Sequence, residues 1–168
     1  MSGVPDSQTS FSIRRAVPED ADRLVDIWWH SAQATHHFLS RRELEALLPE
    51  VRALRLETLQ TWVLCSPGSG AIGFLVMEGR SVEGLFIAPE WRRRGGGRRL
   101  MSQARLLADR LTVEVNEQNA DALAFYRAQG LEIVHRSPTD RSGRPYPLLH
   151  LEESQTSVIA RQNQSSMR

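Results

Sequence analysis

The chain has 168 residues, 40% of them hydrophobic and 24% charged, with 21 Lys and Arg against 20 Asp and Glu for a net charge of +1. This is the balance of one soluble globular domain with room for a core. Nothing in it calls for nucleic acid, no apolar run approaches the ~20 residues of a membrane span, and the lone Cys65 excludes an internal disulfide and a cysteine-based zinc site.

Residues 1–10 are polar, show no signal-peptide pattern and read as a disordered lead-in. With the single cysteine they give the expectation of a cytoplasmic protein. Residues 11–16 begin with apolar–polar alternation and form a first strand. Pro18-Glu19-Asp20 suits the first turn of a helix whose apolar face is Ala21, Leu24, Val25 and Trp28. Trp28 and the adjacent Trp29 point in different directions, so one of them lies off the core. The aperiodic stretch 34–40 ends at Ser40, which with Glu43 makes a capping box for a second helix carrying Leu44, Leu47 and Leu48. Pro49 is expected to kink that helix or divide it from residues 51–59.

Residues 61–65 and 71–78 form a hairpin around the turn Ser66-Pro67-Gly68-Ser69-Gly70, and 81–87 is the next strand. Its period of two places Glu83, Leu85 and Ile87 on one face, with Val82, Gly84 and Phe86 on the other. A basic glycine turn follows, running from Trp91 through Arg92, Arg93, Arg94, Gly95, Gly96 and Gly97 to Arg98 and Arg99. Glycines allow close backbone approach. The helix that starts here offers free N–H groups, the positive end of a dipole and arginine charge, a setting suited to phosphate. The same arginines also read as a solvated face. A strand at 111–115 completes a strand–helix–strand unit, which favours parallel strands. A short helix at 121–129 ends at Gly130, and 131–134 with 146–151 form a last antiparallel pair. Residues 154–168 are polar and read as a disordered tail, leaving 11–153 as the domain.

The pattern resembles the GCN5-related N-acetyltransferase (GNAT) family, which moves acetyl from acetyl-CoA to an amine. The family motif Gln/Arg-x-x-Gly-x-Gly/Ala stands here as Arg92-x-x-Gly95-x-Gly97, after the strand Leu85-Phe86-Ile87. A second cofactor segment is matched by Asn116-Glu117-Gln118-Asn119 and by Ala124-Phe125-Tyr126-Arg127-x-x-Gly130. Ala34-Thr35-His36-x-Phe38-Leu39 and Gly143-x-Pro145-Tyr146-Pro147 resemble the bacterial YjaB-type members. One departure stands out. Gly96 occupies a position between the motif glycines where the family carries an aliphatic residue, which adds to the entropy of ordering the turn.

The resemblance implies an α/β (α+β) fold. It has a mixed, mostly antiparallel sheet of six to seven strands with a parallel splayed pair, flanked by about four helices. Acetyl-CoA is the implied cofactor, and no metal is implied. Its pyrophosphate would lie on Gly95, Gly96, Gly97 and Arg98, beside Arg92, Arg93 and Arg94. Its pantetheine would lie along Leu85, Phe86 and Ile87, where a main-chain N–H could carry the oxyanion of acyl transfer. Asn119 is a candidate for the cofactor arm and equally for a helix N-cap. Tyr126 is the candidate general acid for the departing CoA thiolate, against a plain packed aromatic. Glu83 and His36 are candidate general bases, with a solvated carboxylate and a substrate-positioning imidazole as the plainer readings. Trp28 or Trp29, His36, Phe38 and Tyr146 would border the acceptor groove, although each also reads as core. The acceptor is a primary amine of a small molecule or peptide. A non-catalytic acetyl-CoA sensor and an enzyme acting on a nucleic-acid-borne amine are the alternatives. Membrane partners are not expected, nucleic acid is disfavoured, and a homodimer is left open.

Overall fold

Strand β3 (Gly70–Glu78) is the spine of the sheet: its seven inner residues are all buried, because helices cover both of its faces. The computed structural model describes residues 10–53 and 60–167. Around β3, among the described residues, lie β1 (Ser12–Arg15), β2 (Gln60–Ser66), β4 (Ser81–Ile87), β5 (Thr112–Asn116), β6 (Leu131–Ser137) and β7 (Leu148–Glu153). The sheet order is β1-β2-β3-β4-β5-β7-β6, and every neighbouring pair is antiparallel except β4 and β5. The expected mixed sheet with one parallel pair is therefore present.

One face is covered by α1 (Ala21–Thr35) and α2 (Arg41–Arg52). Leu24, Ile27, Trp28, Ala32 and Leu44 pack there on Val63, Phe74 and Val76. The opposite face is covered by α3 (Gly96–Leu107) and α4 (Ala120–Ala128). Here Leu100, Met101, Ala104 and Tyr126 pack on Leu64, Leu75, Met77 and Val113. No helix among the described residues is long and apolar enough to cross a membrane.

Three local readings need correction. First, α2 does not divide at Pro49. It runs on to Arg52, and the Ala53 N–H closes it on the Pro49 carbonyl at 2.9 Å. The start of α2 is fixed by the expected capping box, in which Glu43 N–H donates to Ser40 Oγ (3.2 Å) and Ser40 N–H to Glu43 Oε2 (2.8 Å). Part of the stretch 51–59 lies outside the described residues, as does most of the lead-in 1–10.

Second, the tail after Glu153 carries helix α5 (Gln155–Ser166). It is capped by Ser154, whose Oγ accepts from Ser157 N–H at 3.1 Å. The helix is held by charge rather than by an apolar stripe. Arg161 donates to the Glu153 carboxylate (2.8 Å) and to the Asp109 carbonyl (2.6 Å).

Third, the faces of β4 differ from strict alternation. Met77 pairs with Val82, but Val76 pairs with Gly84, so Glu83 is the extra residue of a β-bulge. Val82, Leu85 and Ile87 consequently share the α3–α4 side, while Phe86 packs with Phe74 on the other.

Candidate active site

The bulge at Glu83 is where the sheet opens. β4 and β5 pair only at Ser81–Thr112 and Val82–Val113. Beyond those pairs β4 stays on β3 through Ile87, and β5 stays on β7 through Asn116. The facing edges, Gly84–Ile87 and Glu114–Asn116, thus present backbone N–H and C=O groups to a cleft of about 650 Å3 rather than to each other.

The mouth of the cleft is the basic glycine turn. Gly95 caps α3 in a left-handed conformation (φ 85°), which a side chain would strain. The first intrahelical bond is Arg99 N–H to Gly95 O at 3.1 Å, so the amides of Gly96, Gly97 and Arg98 form a free first turn. A Cβ at Gly97 would stand 3.1 Å from the Phe125 ring, and one at Gly96 only 2.8 Å from Leu64 Cδ2. The three glycines therefore answer three different needs: a backbone angle, a buried contact and a close approach to α4. The departure at Gly96 has its physical reason in Leu64, which fills the space an aliphatic side chain would take.

Arg92, Arg93 and Arg98 line the cleft. Arg92 lies 3.6 Å from Asp121 at the start of α4. Arg94 does not line it and stacks over the Trp91 ring at 4.8 Å. Leu85, Phe86 and Ile87 form the β4 wall, and Asn119 and Tyr126 come from the opposite wall. Asn119 is buried, and its Oδ1 caps α4 by accepting from Ala122 N–H at 3.2 Å. Its side-chain NH2 has no hydrogen bond among the described residues. Tyr126 is 7% exposed and packs edge-on to Phe125 at 5.1 Å. Burial raises the pKa of its phenol well above the ordinary value, so the proton stays on oxygen.

Part of the cleft lining is polar. His36 closes α1 and lines the cleft with Ser31 and Thr35. Its Nδ1 is 2.9 Å from Thr35 Oγ1. Burial pushes its imidazole below the usual pKa, keeping it neutral near pH 7. His36 touches Phe38 (5.5 Å between rings) and Phe38 touches Tyr146 (5.7 Å). The Tyr146 hydroxyl donates to Glu43 at the start of α2, and this bond with those from Ser40 holds the Glu43 carboxyl down at about 2. Phe38 and Tyr146 thus stand behind His36 rather than on the cleft wall.

Neither tryptophan reaches the cleft. Trp28 is buried on the sheet-facing side of α1, and Trp29 borders a separate shallow groove with Asp22, Val25 and Arg52. Sequence reasoning named Glu83 but passed over its two neighbours, Glu114 and Arg141. Glu83 and Glu114 both line the cleft, one on each parting strand, and Arg141 from the β6–β7 loop bridges them at 3.4 and 2.7 Å. The alternation Val113-Glu114-Val115 carries a signal for Glu114. Arg141 has none, since its partners are distant in sequence.

A mixed sheet parted at a parallel strand pair, with a glycine-started helix at the mouth of the gap, defines an acyltransferase of the kind that takes its acyl group from a coenzyme A thioester. The chain belongs to the GNAT acetyltransferase family. The profile described as "Acetyltransferase (GNAT) domain" matches residues 57–132. The chain is 43% identical over 143 residues to the peptidyl-lysine N-acetyltransferase YjaB of Escherichia coli K12, covering 83% of this chain and 95% of that one. The solution structure of apo YjaB from Escherichia coli superimposes with a TM-score of 0.79 at 40% identity, over 85% of this chain and 97% of that one. The fold also matches the PaiA N-acetyltransferase of Thermoplasma acidophilum in complex with coenzyme A, at a TM-score of 0.71 and 20% identity, over 86% of this chain and 99% of that one.

Proposed function

We propose that this chain acetylates a lysine side-chain amine on a peptide or protein by direct attack on acetyl-CoA. The reading rests on one observation: the cleft lies between the parting strands and is lined both by a free helix turn and by the carboxylates of Glu83 and Glu114. The relatives named for peptidyl-lysine acetylation support the choice of acceptor.

The residues present suit acetyl-CoA. The free amides of Gly96, Gly97 and Arg98 would donate to a pyrophosphate, with Arg92, Arg93 and Arg98 supplying charge. The unpaired edge of Gly84–Ile87 meets the pantetheine arm, and the free NH2 of Asn119 donates to it. When bound, acetyl-CoA supplies a thioester carbonyl for the amine to attack. Tyr126 holds a proton in the cleft wall and gives it to the departing sulfur. A thiolate desolvated in the same cleft is a stronger base than one in water, so a phenol with a raised pKa remains a competent donor. Glu83 removes a proton from the incoming ammonium, directly or through water. Neutral His36 is the second acceptor of that proton.

The test is CoA release with a lysine peptide, the same peptide bearing only an α-amine, and a small diamine. Turnover confined to the lysine peptide is expected. Turnover confined to the α-amine or the diamine would move the acceptor class, and binding of acetyl-CoA without turnover on any of them would favour a sensor.

A further inference from the structure

We propose that Arg141 is a built-in stand-in for the acceptor's cation, closing the acceptor end of the cleft in the free enzyme until a protonated primary amine displaces it. The proposal deepens the amine-acetylation reading above and rests on it.

Two groups of observations carry it. The first is position. Glu83 sits on the bulge of β4 and Glu114 on β5, so one carboxylate stands on each side of the gap. The Arg141 Nε lies 2.7 Å from Glu114 Oε2, and its Nη1 lies 3.4 Å from Glu83 Oε2. A single cation therefore joins the two cleft-lining carboxylates across the gap. The second is the way the loop is built. Asp140 fixes the loop backbone without using Arg141: its Oδ1 accepts from the amides of Ser142 and Arg144 at 2.9 Å each, and its Oδ2 from Arg144 Nε at 2.6 Å. Arg141 itself is 63% exposed, free to swing out while the loop stays in place.

The chemistry of the side chain fits this role. An exposed ion pair holds weakly, so an incoming cation displaces it readily. A guanidinium stays charged and offers only donors, so it can occupy an ammonium site next to acetyl-CoA without being acetylated. When it leaves, Glu114 keeps a partner in His150, whose Nδ1 is 3.3 Å from Glu114 Oε1 and whose Nε2 is 2.7 Å from Ser137 Oγ. The carboxylate therefore stays oriented for the ammonium that replaces the guanidinium.

The experiment titrates n-butylamine, the lysine side chain in miniature, into the CoA-loaded full chain, following backbone amides and arginine Nε–H signals by NMR. The Arg141 Nε–H should move as the amine binds. Arg141→Gln should bind the amine about threefold or more tightly, in keeping with removal of a weak exposed pair, and Glu114→Gln should weaken binding. No binding to either protein, equal binding by wild type and Arg141→Gln, or an unmoved Arg141 signal while the amine binds would each overturn the proposal. CoA loading and turnover are measured separately, so failure to load, or absence of turnover on any amine, sinks the functional reading and the proposal with it, whereas the three outcomes above overturn the proposal alone.

Discussion

A Cβ at Gly96 would stand 2.8 Å from Cδ2 of the fully buried Leu64 and 3.3 Å from Cδ1 of Ile87 on the cleft wall. Gly96→Val should therefore cost about 1–3 kcal/mol by overpacking, read as a lower urea midpoint. In a Leu64→Ala background the same change should cost less, because the clashing atoms are gone. Equal costs in both backgrounds would mean that the helix start, not Leu64, rejects the side chain. Tyr126→Phe keeps the packing against Phe125 and removes only the hydroxyl. It should lower kcat at least tenfold, within the range of general acid catalysis, while the thermal shift with acetyl-CoA is retained. A variant with unchanged kcat would take Tyr126 out of the proton path. Arg92, Gly95 and Gly97 stand out in the sequence as a basic glycine turn before a helix, while Asn119 and Tyr126, which also line the cleft, could be singled out only through the family resemblance, since their local pattern equally fits a helix cap and a packed aromatic. The places of Trp28 and Trp29 were not legible, because a helix face says which residues are apolar and not which surface they meet.

Helix α5 shows what composition conceals. Its sequence is polar, and its attachment is a fully buried carboxylate on the preceding strand. Glu153 accepts from Arg105 and Arg161 at 2.8 Å each and from the Leu111 amide at 3.0 Å. Burial pushes its carboxyl up, but these bonds from Arg161, Arg105 and the Leu111 amide outweigh burial and hold it below the usual value. A depressed carboxylate contributes stability that is present above its unfolded value, near ~4.3, and is lost as pH falls through the folded value. Asp20, held down by its two bonds to Arg14, acts in the same direction. Thermal midpoints should thus hold at neutral pH and fall below about pH 4. Glu153→Gln should flatten part of that fall while lowering stability at pH 7. An acid limb of unchanged slope in Glu153→Gln would assign acid sensitivity to other carboxylates. The helix was missed because its anchors, Glu153 and Asp109, are read from contacts and not from periodicity. The bulge in β4 was missed for a related reason: a period of two assumes an unbroken pleat, and one inserted residue reverses every face beyond it.

At the scale of the molecule the sheet is two blocks that are each contiguous in sequence: β1 to β4, then β5 to β7. The β2–β3 hairpin, the parallel β4–β5 crossover and the last antiparallel pair were legible from local turns and spacing, whereas β1 beside β2 and β7 between β5 and β6 were not, because those neighbours are separated by whole elements of the chain. Acetyl-CoA should raise the thermal midpoint by several degrees, on the order of 5 °C at about 100 times its Kd. The shift should shrink with salt if the arginines at the α3 turn carry much of the binding. No shift at millimolar acetyl-CoA would overturn the assignment of the cleft.

The two blocks share a seam only two residue pairs long, Ser81–Thr112 and Val82–Val113. Such a sheet resembles a zip left open below its top teeth, and whatever lies in the gap serves as the missing fastener. In hydrogen exchange, the amides on the open edges of β4 and β5 should therefore be the last sheet amides to gain protection and the first to lose it. On the proposed placement of acetyl-CoA, the acyl donor would double as a removable strand, and each catalytic cycle would unzip and rezip the middle of the protein.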